Sequence, residues 1–280
     1  MKLVGLTFTY NEENMIPYVM PYVERMGYDK FIVYDNESTD NTVELLKKYS
    51  FVEVRTYNTN NTFNNQERIK IAYDVYCEVC KLCKCGEKNE ELGWFTITDF
   101  DEVLFVATKF SKNVKDFLDY RYCVFGENYF NETMINLFPK MNNNGDLLKN
   151  KYVHLADDIL CGYWNVYGKK TTMFVVNDFP YWETCVGFHW SKFKVRNGKK
   201  PKSLSNNGEV HGFHLKYIDK ELLYKKHEMY RKRQDGYANT LDFIYESLYT
   251  TAFPLSLHFY GLPMRYDLDG SFDSGVYFIE

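Results

Sequence analysis

The 280-residue sequence has no long apolar run, and no stretch approaches the ~20 uninterrupted apolar residues that a transmembrane helix needs. It also starts with strand-like residues instead of a basic stretch and an apolar segment, which predicts no secretory signal peptide. We therefore expect a cytoplasmic protein, with peripheral contact to a membrane as an open alternative.

Two further absences exclude classes of partner and cofactor. The formal net charge is −4, so the excess of basic residues that is typical of nucleic-acid-binding proteins is missing. The chain also has no Gly-x-Gly-x-x-Gly turn, which argues against a dinucleotide-dependent oxidoreductase. We expect no nucleic-acid partner.

The seven cysteines lack the spacing of a zinc ribbon, because two separated Cys-x-x-Cys pairs are not found. Four of them cluster between residues 77 and 85. An odd total without a secretion signal favours reduced thiols. We expect these cysteines to be structural or incidental, with a metal site as the alternative.

Strand-like and helix-like segments alternate along the first third of the chain. Residues 2–10 predict a strand, and a helix that Gly27 ends should follow it. Residues 31–34 predict a second strand, after which Ser38 or Thr39 should cap the next helix. Residues 51–57 predict a third strand. This alternation indicates an α/β fold with a mostly parallel sheet.

The most informative segment is residues 93–102, a run of β-prone residues that ends in Asp99, Asp101 and Glu102. Carboxylates tolerate burial poorly unless they are paired or bound to a cation. They should therefore lie where the strand opens into a cleft, the place where open α/β sheets bind ligands. The hypothesis is a metal–phosphate centre, and the alternative is a solvated acidic turn.

Three motifs in order, at residues 7–12, 34–40 and 99–102, resemble those of family 2-like glycosyltransferases with the GT-A fold. The resemblance is greatest to the branch with an Asp-x-Asp-Glu metal motif, which is followed by a His-containing segment and a basic helix. Here these are residues 211–217 and about 219–233. The resemblance covers about the first hundred residues, and residues 107–188 match loosely.

The resemblance implies one GT-A domain over residues 1–280, with a Rossmann-like, mostly parallel sheet flanked by helices. Residues 1–106 would bind the nucleotide sugar and the metal, and residues 107–280 would form the acceptor-side half with C-terminal helices. The cationic face of the basic helix would contact the donor diphosphate, a phosphorylated acceptor or an anionic membrane. The alternative is that this face is simply exposed to solvent.

The resemblance also implies how the donor is held. Asp35 would accept a hydrogen bond from the uracil N–H, and Tyr10 would stack on the base. The alternatives are that Asp35 forms an Asx-turn and that Tyr10 is a packed aromatic residue. The full set of residues implied for the nucleotide is Thr9, Tyr10, Asn11, Asp35, Gln66, Arg68 and Asp99.

The metal implied by the resemblance is Mn²⁺ or Mg²⁺. Asp101 would be a direct ligand, and Asp99 would contact the ribose, or the metal through water. A histidine later in the chain would complete the set. His189, His211 and His214 fit by their order, and we choose His214 because it precedes the basic helix.

The resemblance implies that a sugar is transferred from a nucleotide-diphosphate sugar, preferably a UDP-sugar, to a hydroxyl of a glycan or another acceptor. The configuration at the anomeric carbon would be inverted. The expected general base is Glu183, whose aromatic neighbours suit an acceptor sugar, followed by Asp158 and Asp157.

Two alternative functions remain. A sugar nucleotidyltransferase should have a Gly- and basic-rich loop after its first strand, where this chain has residues 11–14. A non-catalytic sugar- or nucleotide-binding module would keep the pocket and lack turnover.

Overall fold

The fold is that of a computed structural model, which describes residues 1–60, 62, 64–106, 114–138, 161–184, 188, 191–204, 210–215, 276–279 and seven positions between 222 and 233. For residues 105, 106, 132–138, 161–169, 171, 210, 211 and 276–279 it describes the backbone alone. No helix within these ranges is long and apolar enough to cross a membrane.

The described strands are, in chain order, β1 Lys2–Thr9, β2 Lys30–Asp35, β3 Val52–Thr56, β4 Gly93–Ile97, β5 Glu102–Val106, β6 Tyr129–Phe138, β7 Cys161–Val175, β8 Tyr181–Thr184, β9 Ser191–Lys194, β10 Val210–His214 and β11 Val276–Ile279. The continuous helices of the described ranges are α1 Ile16–Met26, α2 Thr42–Leu46, α3 Asn65–Leu82 and α4 Val114–Phe125.

Eight strands form one mixed sheet in the order β3-β2-β1-β4-β7-β6-β10-β5. The pairs β2–β3, β1–β2, β1–β4 and β6–β10 are parallel, and the other three pairs are antiparallel. The predicted α/β fold with a mostly parallel central sheet flanked by helices is therefore confirmed. The chain runs outward from β1 to β3 and then returns to the other side of β1 as β4. A reversal of this kind opens a crevice at the carboxyl ends of the central strands.

The central strands are apolar because both faces of the sheet are covered. β1 is buried from Leu3 to Thr9, and every residue of β4 is buried. On one face α3 packs its buried residues Ile71, Val75 and Val79 against the sheet, in a cluster that also includes residues of β8 and β9. On the other face lies α1.

The ends of α1 follow the predicted signals, whereas the start of α2 does not. Pro17 lies in the first turn of α1, and Gly27 ends the helix in the left-handed conformation with φ +68°. The prediction that Ser38 or Thr39 caps α2 is wrong, because the N-cap residue is Asn41. Ser38 and Thr39 instead hydrogen-bond to residues of the preceding loops.

A close approach at Gly93 joins β4 to the end of α3. A Cβ atom at this position would overlap Cys83 Sγ and would lie 3.0 Å from Val176 Cγ2. Cys83 is completely buried in the core and cannot easily move away. The absence of a side chain at residue 93 therefore allows α3 to pack against β4.

We predict that Gly93→Ala lowers the free energy of unfolding by about 1–3 kcal/mol, the usual cost of overpacking a filled core. Urea unfolding of Gly93→Ala, Cys83→Ala and the double variant measures this cost. If the thiol is the obstacle, the double variant loses less unfolding free energy than the two single variants lose together. Additive losses would show that the cost arises elsewhere.

Candidate functional site

Three polar segments meet at the carboxyl ends of β1, β2 and β4. Thr9 and Asp35 are register partners at the ends of β1 and β2, and Leu6 is paired with Ile97 near the end of β4. The loop that follows β4 begins with Thr98, whose carbonyl accepts a hydrogen bond from the Thr7 hydroxyl at 3.0 Å. The predicted nucleotide and metal segments thus lie along one edge of the sheet, at the reversal of strand order.

Asp35 is buried and forms a turn. Its Oδ2 accepts a hydrogen bond from the Ser38 N–H at 2.8 Å, and its Oδ1 accepts hydrogen bonds from the hydroxyls of Ser38 and Thr9. The N–H of Ser38 lies three residues after Asp35, one position beyond that of the Asx-turn that the sequence offered as the alternative. Asp35 therefore closes the turn after β2 with a wider loop.

Asn11 connects the loops that follow β1 and β2. Its backbone φ is +54°, its N–H donates to Ser38 Oγ at 2.8 Å, and its Oδ1 accepts from the Thr39 N–H at 2.7 Å. Asparagine is one of the residues that adopt this left-handed conformation most readily. The two loops consequently form a single hydrogen-bonded rim beside Asp35.

Asp99 accepts hydrogen bonds from two cations. Arg68 Nη2 lies 2.7 Å from Asp99 Oδ1, and Lys170 Nζ lies 3.0 Å from Asp99 Oδ2. Burial favours the protonated acid, but the charges of Lys170 and Arg68 outweigh this effect and hold the pKa of Asp99 below its usual range. Asp99 is therefore an ionised carboxylate held rigidly in place.

Glu102 and Lys170 form a buried pair with Glu102 Oε1 2.6 Å from Lys170 Nζ. Burial raises the pKa of Glu102, although the Lys170 charge opposes the shift. The pKa of Lys170 is raised, because Asp99 and Glu102 outweigh the effect of its burial. Glu102 Oε2 also accepts the Asp99 N–H at 3.1 Å, which fixes the loop between β4 and β5.

Asp101 lies at the junction of three separate segments. Lys226 Nζ is 3.0 Å from Asp101 Oδ2 and 2.8 Å from Glu12 Oε1. His214 Nε2 is 3.5 Å from the same Asp101 oxygen, and the Leu215 N–H donates to the Asp101 carbonyl at 2.7 Å. Burial raises the pKa of Glu12 to about 6 despite the Lys226 charge.

The charges of the side chains that are linked by ion pairs to Asp99, Asp101 and Glu102 nearly cancel. The acidic side chains carry four negative charges and the basic ones three positive charges, which leaves one negative charge before His214 is counted. The acidic members are Glu12, Asp99, Asp101 and Glu102, and the basic members are Arg68, Lys170 and Lys226. We call these seven residues the charged cluster.

Aromatic rings flank two arginines at this edge. The Arg68 guanidinium lies 4.7 Å from the Phe8 ring centroid and 5.3 Å from that of Phe188. The Arg233 guanidinium lies 4.2 Å from the Tyr10 ring centroid, and its Nη2 donates to the Thr62 carbonyl at 2.8 Å. One face of Tyr10 is thus covered by a cation.

The residues predicted for a metal are only partly brought together. Within the described ranges no three His, Cys, Asp or Glu side chains form a metal-ligating group. Asp101 and His214 do converge, and an oxygen and an imidazole nitrogen together suit Mn²⁺. The pair fits an ion that takes its remaining ligands from a substrate diphosphate and water, provided that Lys226 moves aside.

The remaining predicted residues are distributed as follows. Gln66 is exposed in the first turn of α3. Glu183 is 45% exposed on β8, where it accepts a hydrogen bond from the Tyr181 hydroxyl at 3.1 Å and pairs with Lys192 at 3.7 Å. Its neighbour Trp182 is buried in the core, so it is not a platform for a sugar. Asp157, Asp158 and His189 lie outside the described residues, as does the side chain of His211.

Sequence reasoning missed Lys170 and Glu12 as members of this edge. Lys170 lies in β7 and reaches Glu102 across 68 residues of sequence. Its only signal is a lysine three residues before the apolar run 173–176. Lys226 and Arg233 were included only as part of a basic helix, and both contact the site.

The model of glycosyltransferase family 92 matches residues 4–143, half of the chain. This match agrees with the expected sugar transfer. No curated protein matches the chain.

Solved structures resemble the chain only weakly. A 4-diphosphocytidyl-2C-methyl-D-erythritol synthase is 10% identical, with 64% of this chain and 76% of that chain covered and a TM-score of 0.31. The synthase from Anaerococcus prevotii DSM 20548 is 9% identical, with 62% and 71% covered and a TM-score of 0.29. HddC from Yersinia pseudotuberculosis is 13% identical, with 80% and 97% covered and a TM-score of 0.28. These scores are too low to carry an argument.

We predict that Lys170→Met lowers the free energy of unfolding by about 3–5 kcal/mol, because it leaves the buried Glu102 carboxylate without its cation. The matched control is Lys115→Met, which removes a partly exposed partner of Asp29 and should cost at most about 1 kcal/mol. Equal losses in chemical denaturation would contradict a special role for Lys170.

Proposed function

The chain belongs to glycosyltransferase family 92, and we propose that it transfers a sugar from a nucleoside-diphosphate sugar, with UDP as the preferred nucleotide, to an acceptor hydroxyl. The proposal includes the GT-A arrangement, a divalent metal and inversion at the anomeric carbon. It assigns the donor to the edge formed by the carboxyl ends of β1, β2 and β4.

The observation that carries this proposal is the pair Asp99 and Asp101 at the point where strand order reverses. Asp99 is fixed by Arg68 and Lys170, and Asp101 lies 3.5 Å from His214. Carboxylates held at the carboxyl ends of the strands, with lysine and arginine side chains beside them, suit a nucleotide diphosphate and its metal.

In this proposal Asp101 and His214 hold the metal, while Asp99 contacts the ribose or a metal-bound water. A bound Mn²⁺ or Mg²⁺ would supply Lewis-acid stabilisation of the departing diphosphate. On binding of the donor, Lys226 would exchange its carboxylate partners for phosphate oxygens. Lys170 and Arg68 would stay with Asp99, because Lys170 also pairs with Glu102 and Arg68 also contacts the rings of Phe8 and Phe188.

The nucleoside would lie on the rim made by the loops that follow β1 and β2. Asp35 accepts from the Ser38 N–H with one oxygen, and that oxygen has a second lone pair for a base N–H. Tyr10 and Asn11 border the same rim. Because Arg233 covers one face of Tyr10, the base would stack on the opposite face.

Inversion requires a general base beside the acceptor. We keep Glu183, Asp158 and Asp157 as the proposed bases. Glu183 is exposed on β8 and lies 3.7 Å from Lys192 Nζ, so as a base it would have to exchange this lysine for the acceptor hydroxyl. Its hydrogen bond with Tyr181 would orient the carboxylate.

The experiment that tests the function is a panel of UDP-, GDP-, dTDP- and CMP-sugars with and without Mn²⁺. Release of the free nucleotide together with transfer or hydrolysis of the sugar supports a glycosyltransferase. Release of pyrophosphate from a nucleoside triphosphate and a sugar phosphate supports the nucleotidyltransferase alternative instead. Thermal stabilisation by a nucleotide sugar without turnover supports a binding module.

We predict that Asp101→Asn lowers Mn²⁺-dependent turnover about 100-fold or more. Loss of a side chain that only supports a metal ligand already lowers metal affinity or activity about 10–100-fold. The matched control is Asp116→Asn, which changes an exposed carboxylate in the first turn of α4 and should leave turnover unchanged. Melting curves check that both variants fold. Full Mn²⁺-dependent activity of Asp101→Asn would exclude Asp101 as a ligand.

We predict that Asp35→Ala weakens UDP binding by about 10- to 150-fold, the loss of one charge-assisted hydrogen bond of about 1.5–3 kcal/mol. Ser38→Ala separates the two roles of Asp35, because it removes a turn contact and keeps the carboxylate. Calorimetric titration of both variants should show a much smaller loss for Ser38→Ala. Equal losses would mean that Asp35 acts only through the turn.

A further inference from the structure

The C-terminal end of α3 brings two cysteines together by backbone geometry alone. The Cys85 N–H donates to the Cys80 carbonyl at 3.0 Å, and the Lys84 N–H donates to the Lys81 carbonyl at 3.1 Å. Lys84 between them is left-handed, with φ +52°. These two bonds and one left-handed residue define a Schellman motif, in which the residues at positions 80 and 85 normally make a hydrophobic contact.

In this chain both positions of that contact are cysteines. Each of the two residues is half-buried. Both pack against the core cluster on the α3 face of the sheet. Because the backbone turn is closed by its own hydrogen bond between these two residues, a disulfide between them needs little movement of the chain.

We propose that Cys80 and Cys85 form a reversible disulfide, which makes the end of α3 a redox-sensitive modification site. The oxidant is a small-molecule disulfide. The Cys80 thiolate attacks one of its sulfurs, forms a mixed disulfide and releases one thiol. The Cys85 thiolate then attacks Cys80 Sγ and releases the second thiol. Both cysteine protons end on the released thiols, and the small disulfide is reduced.

The two thiols are suited to different steps of this exchange. The hydrogen bond from Cys85 lowers the pKa of Cys80, whereas the same contact raises the pKa of Cys85. A thiol with a lowered pKa has a larger thiolate fraction and attacks first. Cys80 therefore starts the reaction, and Cys85 resolves the mixed disulfide.

Three other described cysteines are less suited to this exchange. Burial raises the pKa of Cys77, which lies one turn before Cys80 on α3. Cys83 is completely buried against Gly93, and burial raises its pKa to about 11, so it reacts slowly. Cys123 is exposed on α4, a separate helix. A metal bound by the group is not supported, because no three ligating side chains converge within the described part of the chain. This inference does not depend on the proposed sugar transfer.

The sequence makes the bond easy to identify, because Lys81 and Lys84 are cleaved by trypsin. Cys80 falls in the peptide 71–81, Cys83 in 82–84 and Cys85 in 85–88. The full chain, with Cys123→Ala to suppress intermolecular bonds, is incubated with oxidised glutathione, blocked with an alkylating reagent and digested. Mass spectrometry should find peptide 71–81 linked to 85–88, with 82–84 alkylated, and dithiothreitol should separate the pair.

Two variants assign the link within peptide 71–81. Cys77→Ala should keep the link, and Cys80→Ala should abolish it, while both remain folded by circular dichroism. A link between 71–81 and 82–84, a link lost in Cys77→Ala, or two free alkylated peptides after oxidation would each overturn the proposal. Zinc retained at one equivalent by the reduced chain, and lost in Cys80→Ala, would overturn it as well.

Discussion

The placement of Lys170 between Asp99 and Glu102 is the constraint on which the rest of the site depends. The loop after β4 contains three carboxylates within four residues, and two of them are buried. Such a loop is stable only if a cation is buried with it. β7 supplies that cation, which ties the parallel half of the sheet to its antiparallel half. Arg68 of α3 neutralises Asp99 as well, and Lys226 of the carboxyl-terminal third neutralises Asp101.

The local parts of the fold could be predicted from the sequence because their signals are local. Gly27 ends α1, Asp35 ends β2, and the β-prone run 93–97 forms β4. In each case the residue types at that position are enough to predict the element. The start of α2 could not be predicted in this way. Ser38 and Thr39 are good caps, but their hydroxyl and N–H groups are engaged by Asp35 and Asn11, and the second of these lies 28 residues away.

The partners of the carboxylates could not be predicted, because nothing local marks them. Lys170 lies 68 residues from Glu102, and Lys226 lies 125 residues from Asp101. A lysine in a strand is ordinarily solvent-exposed, so its burial depends on strand order, which periodicity does not reveal. The neighbours of Glu183 were also judged from local sequence. They suggested an aromatic platform for an acceptor sugar, but Trp182 and Glu183 point to opposite faces of β8 and the tryptophan is buried in the core.

The nearly neutral charged cluster has a consequence for how the molecule is assembled. All four of its carboxylates lie within residues 12–102, whereas Lys170, Lys226 and His214 arrive only in the second half of the chain. A chain emerging during synthesis, or a fragment ending near residue 143, has the acidic edge with Arg68 as its only cation from the cluster. Such an intermediate carries mutual repulsion at the carboxyl ends of its central strands until β7 and the segment with Lys226 dock. The site and the complete fold should therefore form together, in one late and non-local step.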